Sequence, residues 1–351
     1  MKLNFTYDLS ANRILRDPEV YTRFEKMKKA GVETIYVVGY YTGIGTSIED
    51  MAAAKKVLED SGFAVGVLNV PLGHGGYELD PSDPKTSLYA ENGWQRRVHS
   101  NGFYGAYTTC INDVMLKDSI EANRAYYDVG YRRFMNDDDL RTGEWGQELK
   151  GCFCDSCMEE FTALIGKNVT RREIVSMTDP ELSEVWMDFQ CSKVLNFLKK
   201  TTIADSRNGL MVMHNGDRRH GIDIPLLRRE MPDNLVFRVG EGHFQDKYFT
   251  SAGIKRLEHS ILRHLALVGN NDICYSETTV YPDAALSPEN WIEKMRIEIK
   301  CGLRNLFLMS GSWFFTDPYW DALEKALPEL TELAETTPIP EHTMPEEIWT
   351  L

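Results

Sequence analysis

TIYVVGYYTGIGTSIEDMAAAKKVLEDSGFAVGVLNV, residues 34–70, gives the clearest indication of the fold. It begins and ends with short runs rich in valine, isoleucine and tyrosine, which are typical of strands. Between these runs, residues 47–62 have the apolar spacing of an amphipathic helix. A strand, a helix and a second strand in this order predict two parallel strands that are joined by a crossover helix.

The same alternation continues along the whole chain, and helical segments separate most of the short apolar runs. The predicted strands are LNFTYD (3–8), TIYVVGYY (34–41), AVGVLNV (64–70), YRRFMNDDD (131–139), LMVMHN (210–215), NLVFRVGEG (234–242), ICYSE (273–277) and NLFLMSGSW (305–313). Eight such units fit a closed (β/α)8 TIM barrel of the α/β class. An open doubly wound sheet is the alternative, but it favours a glycine-rich first turn, and DLSANR after the first strand is not one.

Two segments interrupt the alternation. Residues 71–104 form a polar stretch rich in Gly, Pro and Asp, and residues 140–180 include three closely spaced cysteines. Long insertions of this kind in a compact fold are usually functional. We therefore expect a single catalytic barrel over residues 1–351, with insertions at about 71–104 and about 140–180.

Charge and composition limit the partners and the compartment. The 351 residues include 39 basic and 53 acidic side chains, a net charge of -14, so binding to nucleic acid is not expected. No apolar run reaches the length of a membrane span or a signal peptide. Seven cysteines are too few for a disulfide scaffold, and an odd number argues against complete pairing. The expectation is a cytoplasmic protein without a membrane partner, and association into a homo-oligomer stays open.

Polar and aromatic side chains follow the predicted strands where each strand ends. In a barrel these ends meet on one rim, where active sites lie. Carboxylates and amides hydrogen-bond hydroxyl groups, and aromatic rings cover the apolar faces of sugars, so a carbohydrate substrate is expected. Capping of loops and helices is the structural alternative for each residue taken alone. The predicted substrate-binding residues are Asp8, Tyr40, His74, Asn136, His214, Asn215, Glu241 and Trp313.

Glycoside hydrolysis needs two carboxyl groups on opposite sides of the scissile bond. Glu277, at the end of the seventh predicted strand, is the sharpest candidate for one of them. The fourth strand ends in NDDD, residues 136–139, where repulsion between adjacent carboxylates raises the pKa of at least one of them if all are partly buried. A solvated turn or a cation site is the alternative for this triplet. A raised pKa suits a general acid, and Asp138 or Asp139 is the predicted donor.

The cysteines predict a metal site. Cys152, Cys154 and Cys157 have the spacing C-x-C-x-x-C, whereas a thioredoxin-type redox pair needs only C-x-x-C at a helix start. A closed structural zinc site takes four thiolates, and Cys110 in YTTCIND is the natural fourth ligand. Four thiolates leave no open position for water, so this zinc would clip the insertion after the fourth strand and would not catalyse.

These cysteines also carry a resemblance to a known family. Cys110 followed by Ile111-Asn112, and then CFCDSCMEEF (152–161), resembles the zinc-binding pattern of family 42 glycoside hydrolases, which are β-galactosidase-like TIM-barrel enzymes of clan A. SETTVYPDAALSPENW (276–291) is similar to the family's strand-seven region, which implies that Glu277 is the nucleophile and that Asn290-Trp291 follow it. The family has an Asn-Glu pair after strand four, whereas this chain has MNDDDL. The resemblance implies a distant member, with the acid role at Asp138 or Asp139 and Asn136 or Asp137 as the neighbour.

Two other functions stay open at this point. Asp137, His214, Glu241 and Glu277 are together a ligand set for a divalent ion, which a sugar isomerase or lyase on the same barrel would use. The departure at the acid position equally permits a catalytically silent carbohydrate-binding barrel.

Overall fold

The computed structural model describes residues 2–137, 140–143, 149–212, 218–311 and 314–345. Within these residues eight parallel strands form a closed ring, because the first strand pairs with both the second and the last. The strands are β1 (Asn4–Ser10), β2 (Val32–Tyr41), β3 (Ala64–Val70), β4 (Arg133–Asn136), β5 (Arg207–Val212), β6 (Leu235–Val239), β7 (Cys274–Tyr275) and β8 (Asn305–Met309). The predicted TIM barrel is confirmed, and each of these strands overlaps one of the eight predicted segments.

Helices cover the outside of the ring. In the described chain they are α1 (Ala11–Arg16), α2 (Val20–Lys29), α3 (Ile48–Asp60), α4 (Asp113–Asp128), α5 (Asp155–Ile165), α6 (Arg171–Val175), α7 (Pro180–Thr201), α8 (Ile224–Glu230), α9 (Ser251–Val268), α10 (Pro288–Lys300) and α11 (Asp317–Thr336). Ser47, Asn112 and Ser287 cap α3, α4 and α10, because each side chain accepts a backbone N–H of the first turn. No helix of the described residues is long and apolar enough to cross a bilayer.

The barrel has two apolar layers because successive strand residues point to opposite faces. Inside the ring, Tyr36, Leu68, Met135, Val236 and Phe307 pack against one another. Between the strands and the helices lies the larger core, which includes Tyr7, Val37, Val67, Phe237 and Leu308. With both faces covered, the strand interiors read as nearly continuous apolar runs, which explains why the sequence revealed them.

The insertion after β3 is more ordered than the predicted polar loop. It contains a three-stranded antiparallel sheet formed by Glu78–Leu79, Tyr104–Thr109 and Arg96–Val98, in that order. Gly73 joins this sheet to the barrel through a bridge to Thr108, and a Cβ at Gly73 would lie only 1.7 Å from the Tyr107 carbonyl oxygen. The strands are too short and too polar for alternation to predict them.

The insertion after β4 has a core of its own. Phe153 stacks on Trp186 of α7 with the ring centroids 4.6 Å apart, and Phe161 of α5 meets the same indole edge-on at 4.8 Å. Phe189 and Ile174 complete the cluster together with the four cysteines. This second core fixes the insertion to α7.

Candidate active site and metal centre

Three buried carboxyl groups lie around one guanidinium at the carboxyl ends of the strands. Asp8 belongs to β1, Asp137 follows β4 and Glu277 follows β7, and each is at most 6% exposed. Arg238 of β6 is 1% exposed and interacts electrostatically with all three. The strand ends of a parallel barrel share one rim, so residues far apart in sequence meet there.

Arg238 organises this end of the barrel. Its Nη1 forms an ion pair with Asp137 and lies 3.0 Å from the sulfur of Met211, while its Nη2 donates to Thr279 Oγ1 at 2.9 Å. The guanidinium also lies over the ring of Phe307 at 5.1 Å. A buried guanidinium is costly unless it is paired, and here one charge faces three carboxyl groups.

Asp8 differs from Asp137 because no ion pair joins its carboxyl group to Arg238 within the described residues. Its Oδ1 is buried and has no hydrogen-bond partner within the described residues. Burial and, to a smaller extent, the charge of Asp137 raise the pKa of Asp8, Arg238 opposes both, and the resulting pKa is about 7. Asp8 therefore holds a proton up to about pH 7.

Replacing Asp8 by asparagine should change how stability depends on pH. The unfolded carboxyl group loses its proton near pH 3.8, but the folded one near pH 7, so the stability of the wild type falls as pH rises between these values. The fall is at most about 4 kcal/mol for three pKa units. Asp8→Asn cannot ionise, so its free energy of unfolding should rise relative to wild type between pH 5 and pH 8, as urea titrations would measure. Parallel pH curves for the two proteins would contradict this account, and the exposed Asp321→Asn is the control.

Glu277 is held by backbone N–H groups. Its Oε2 accepts the N–H of Glu241 at 2.6 Å and that of Gly242 at 2.9 Å, both from the turn after β6. Burial raises the pKa of Glu277 above its usual value, and Arg238, Lys294 and the two N–H groups offset only part of this rise. Hydrogen bonds of this kind stabilise the carboxylate and fix its direction, which is what a nucleophile or base requires.

The chain around Glu277 places it at the rim. β7 ends at Tyr275, the Ser276 N–H donates to the Asn305 carbonyl, and Thr278–Thr279 pair with β8 beyond it. The buried indole of Trp291 donates to the Thr278 carbonyl at 3.4 Å. Glu277 thus lies in a short irregular step between two pairings with β8.

The side chains of the other predicted sugar-binding residues contact groups other than Arg238 or lie outside the described residues. Tyr40 is 4% exposed and packs edge-on against Trp94 in the core between strands and helices. The Asn136 amide donates to the Asn208 side chain and the Gly209 carbonyl, which ties β4 to β5. The side chain of Glu241 is fully buried. His74 is exposed, and its N–H donates to the Tyr41 hydroxyl at 3.0 Å. Asp138, Asp139, His214, Asn215 and Trp313 lie outside the described residues.

Sequence reasoning missed Arg238, Lys294 and Glu298. Arg238 interrupts the apolar strand NLVFRV, and a lone charge in a strand buried on both faces was the available signal. Lys294 and Glu298 lie four residues apart on α10 and read as an ordinary pair on an exposed helix face, although both are fully buried. Only the packing of α10 against the strand ends distinguishes them.

The four predicted metal ligands come together. The sulfur atoms of Cys110, Cys152, Cys154 and Cys157 all lie within 4.8 Å of one another, and all four side chains are buried. Cys110 Sγ is 3.8 Å from Cys154 Sγ and 3.6 Å from Cys157 Sγ, too far apart for a disulfide. The cluster could hold one metal ion, and it joins the end of the first insertion to the second.

Neighbouring groups complete the cluster. The Val98 N–H donates to Cys152 Sγ at 3.5 Å, and the Lys193 ammonium lies 3.5 Å from Cys157 Sγ. Donors of this kind stabilise thiolate ligands. A cavity of about 520 Å³ beside the cluster is lined by Asn112, Glu160 and Lys193 among others, on the flank of the barrel and apart from the rim carboxylates.

Comparisons with known proteins support the fold. No family model and no curated protein sequence matches this chain. Among solved structures it is similar to the catalytic domain of β-amylase from Paenibacillus polymyxa, with a TM-score of 0.62 and 11% identity over 96% of this chain and 100% of that one. The PgaB (BpsB) glycoside hydrolase domain from Bordetella bronchiseptica gives 0.59 and 10% over 97% and 100%.

A third similar structure is β-galactosidase from the psychrophilic Marinomonas ef1, with a TM-score of 0.59 and 8% identity. The match covers 96% of this chain and 61% of that one, so this chain spans less than two thirds of that protein. At such low identity the likeness shows the fold alone, and this chain has the barrel that these glycoside hydrolases share.

Proposed function

We propose that the protein is a glycoside hydrolase that cleaves a glycosidic bond with carboxyl groups at the ends of β4 and β7. The observation that carries the proposal is Glu277, a buried carboxylate held by two N–H groups beside Arg238. Asp137, the first aspartate of the β4 end, pairs with the same guanidinium. The carboxyl-bearing segments after β4 and β7 therefore approach one another, as this chemistry requires. A distant relationship to family 42 is part of the proposal.

In this mechanism Glu277 attacks the anomeric carbon or activates a water molecule, and Asp138 or Asp139 protonates the leaving oxygen. Asp137 is not assigned this role because its carboxylate is engaged in the ion pair with Arg238. A separation of about 5–5.5 Å between the two carboxyl groups would give retention, and about 6.5–9.5 Å would give inversion. Asp8, His74, His214, Asn215 and Trp313 are the proposed contacts to the sugar.

The proposal is tested with the purified protein on a panel of 4-nitrophenyl glycosides, with free aldoses and added divalent ions in parallel. We expect release of nitrophenol from one class of glycoside and no ketose from the aldoses. Ketose formation that depends on the added ion would instead indicate an isomerase. Asp137, which that alternative needs as a metal ligand, pairs with Arg238. Binding of sugars without any turnover would indicate a silent binding barrel.

Asparagine substitutions should identify the acid. Loss of the general acid slows the hydrolysis of glycosides with poor leaving groups by about 10²- to 10⁴-fold, because their leaving oxygen needs protonation. The hydrolysis of activated dinitrophenyl glycosides should slow much less, because their leaving group departs without a proton. We expect this pattern in either Asp138→Asn or Asp139→Asn, with the other variant as its matched control. Kinetics on both substrate types measure it. If neither variant shows the pattern, the acid is not one of these two residues and Asp8 becomes the next to test.

We also propose that the cysteine cluster binds zinc with a structural role. Zinc–sulfur bonds of about 2.3 Å in a tetrahedron place the sulfurs about 3.8 Å apart, which agrees with the 3.6 and 3.8 Å separations. Four thiolate ligands would fill the coordination sphere and join the two insertions. No step of the proposed reaction passes through this ion.

A further inference from the structure

A closed polar cluster lies behind Glu277, between the strand ends and α10. It consists of Lys294 and Glu298 from α10 and Glu241 from the end of β6, and the side chains of Lys294 and Glu241 are fully buried. Burying a lysine is costly unless its charge and its donors are satisfied. The groups that contact the buried ammonium of Lys294 must therefore offset the free-energy cost of its burial.

The ammonium of Lys294 bridges the ends of β6 and β7. Its Nζ donates to the Gly242 carbonyl at 2.6 Å and to the Glu277 carbonyl at 2.6 Å. Glu241 Oε2 lies 3.4 Å from the same nitrogen. One side chain thus contacts the backbone of Glu277 itself and the backbone of the turn that holds the Glu277 carboxylate.

That turn has an unfavourable backbone conformation. Gly242 has φ 65° and His243 has φ 60°, and a histidine in the left-handed region costs free energy that the surroundings must offset. In this conformation the N–H groups of Glu241 and Gly242 both point at Glu277 Oε2. The bond from Lys294 to the Gly242 carbonyl stabilises the conformation that directs these donors.

The charges around Glu277 also depend on Lys294. The groups that face Glu277 are Arg238 from β6, Glu241 from the turn, and Lys294 and Glu298 from α10. Burial raises the pKa of both Glu241 and Glu298, and repulsion between them raises that of Glu241 further. Burial and mutual repulsion therefore oppose a second negative charge in this pair, and the Thr278 hydroxyl donates to Glu298 at 2.7 Å. The Lys294 charge lowers the pKa of Glu277 as well as those of Glu241 and Glu298.

We propose that Lys294 is a positioning residue for Glu277, whose ammonium holds the turn at residues 241–243 against β7 and keeps the Glu277 carboxylate ionised and fixed. The catalytic role of Lys294 rests on the function proposed above. Its effect on Glu277 does not, because it concerns only the ionisation and orientation of that carboxyl group.

The test is a titration of Glu277 in full-length protein labelled with [5-¹³C]glutamate, followed by NMR. The signal of Glu277 is assigned by its absence from Glu277→Gln. In Lys294→Met we expect the pKa of Glu277 to rise by about one unit or more, because a nearby positive charge is lost. Lys294→Arg keeps the charge and should stay close to wild type. Lys56→Met, which removes an exposed lysine of α3, should have no effect.

An unchanged titration of Glu277 in folded Lys294→Met would overturn the proposal. If that variant does not fold, Lys294→Met combined with Glu241→Gln is titrated beside Glu241→Gln alone, and the upward shift of the Glu277 pKa is expected between these two proteins. Because the titration needs no substrate, a shift in a protein that cleaves no glycoside supports the role of Lys294 and refutes only the hydrolase proposal. In an active enzyme, the acidic limb of the kcat/KM profile should move upward by the same amount.

Discussion

Glu277→Gln should lower kcat on any cleaved glycoside by about 10³-fold or more, with a much smaller change in KM. The amide has nearly the same shape and its oxygen can still accept the N–H groups of Glu241 and Gly242. What it loses is the negative charge that attacks the anomeric carbon or activates water. Initial rates of nitrophenol release, with the melting temperature measured beside them, separate lost chemistry from lost folding.

The exposed Glu289→Gln in the first turn of α10 is the matched control, since it makes the same change close by and should retain full activity. In a retaining enzyme, Glu277→Ala should also regain turnover of activated glycosides in azide, because the small anion takes the place of the missing carboxylate. Activity in Glu277→Gln within a few-fold of wild type would remove this residue from the mechanism.

Removing the metal, or replacing Cys154 by serine, should unfold the insertion after β4 without unfolding the barrel. Structural zinc supplies about 10–16 kcal/mol of folding free energy in isolated zinc-finger peptides, and the local core of Phe153, Phe161 and Trp186 packs directly against the thiols. We expect one zinc per wild-type chain by elemental analysis and none in Cys154→Ser. Hydrogen exchange should become fast in α5 and stay slow in β1 to β3.

Cys301→Ser serves as the control for this experiment, because Cys301 is a buried thiol at the end of α10, away from the cluster. It should keep the zinc and the slow exchange of α5. Unchanged protection of α5 after complete removal of the metal would show that the cluster does not stabilise the insertion.

Local signals explain why so much of the barrel was predictable. The strands are buried on both faces, so runs such as TIYVVGYY and AVGVLNV can be recognised as strands from their apolar composition, even when the strands that pair with them are unknown. The cysteine cluster was equally accessible, because the spacing of Cys152, Cys154 and Cys157 and the chemistry of thiolates together demand a fourth ligand. Glu277 could be predicted as the polar end of an apolar strand.

Side-chain direction was harder to predict, because it depends on strand register and on β-bulges, which amino-acid composition does not indicate. The pairing of β2 with β3 shifts between Val38 and Tyr41, and in the structure Tyr40 packs in the outer core. Glu241 follows β6 as expected, yet its carboxyl group lies beside Lys294. The three-stranded sheet after β3 depends on contacts between short polar segments far apart in sequence.

Hydrolysis at the rim by Glu277 can be followed by ¹H NMR of the anomeric protons while a glycoside is incubated with wild-type protein and with Glu277→Gln. We expect wild type to release the free sugar first as a single anomer and Glu277→Gln to release none in the same time. Equal release by both proteins, or no release by folded, metal-loaded wild type across the panel of glycosides, would contradict it.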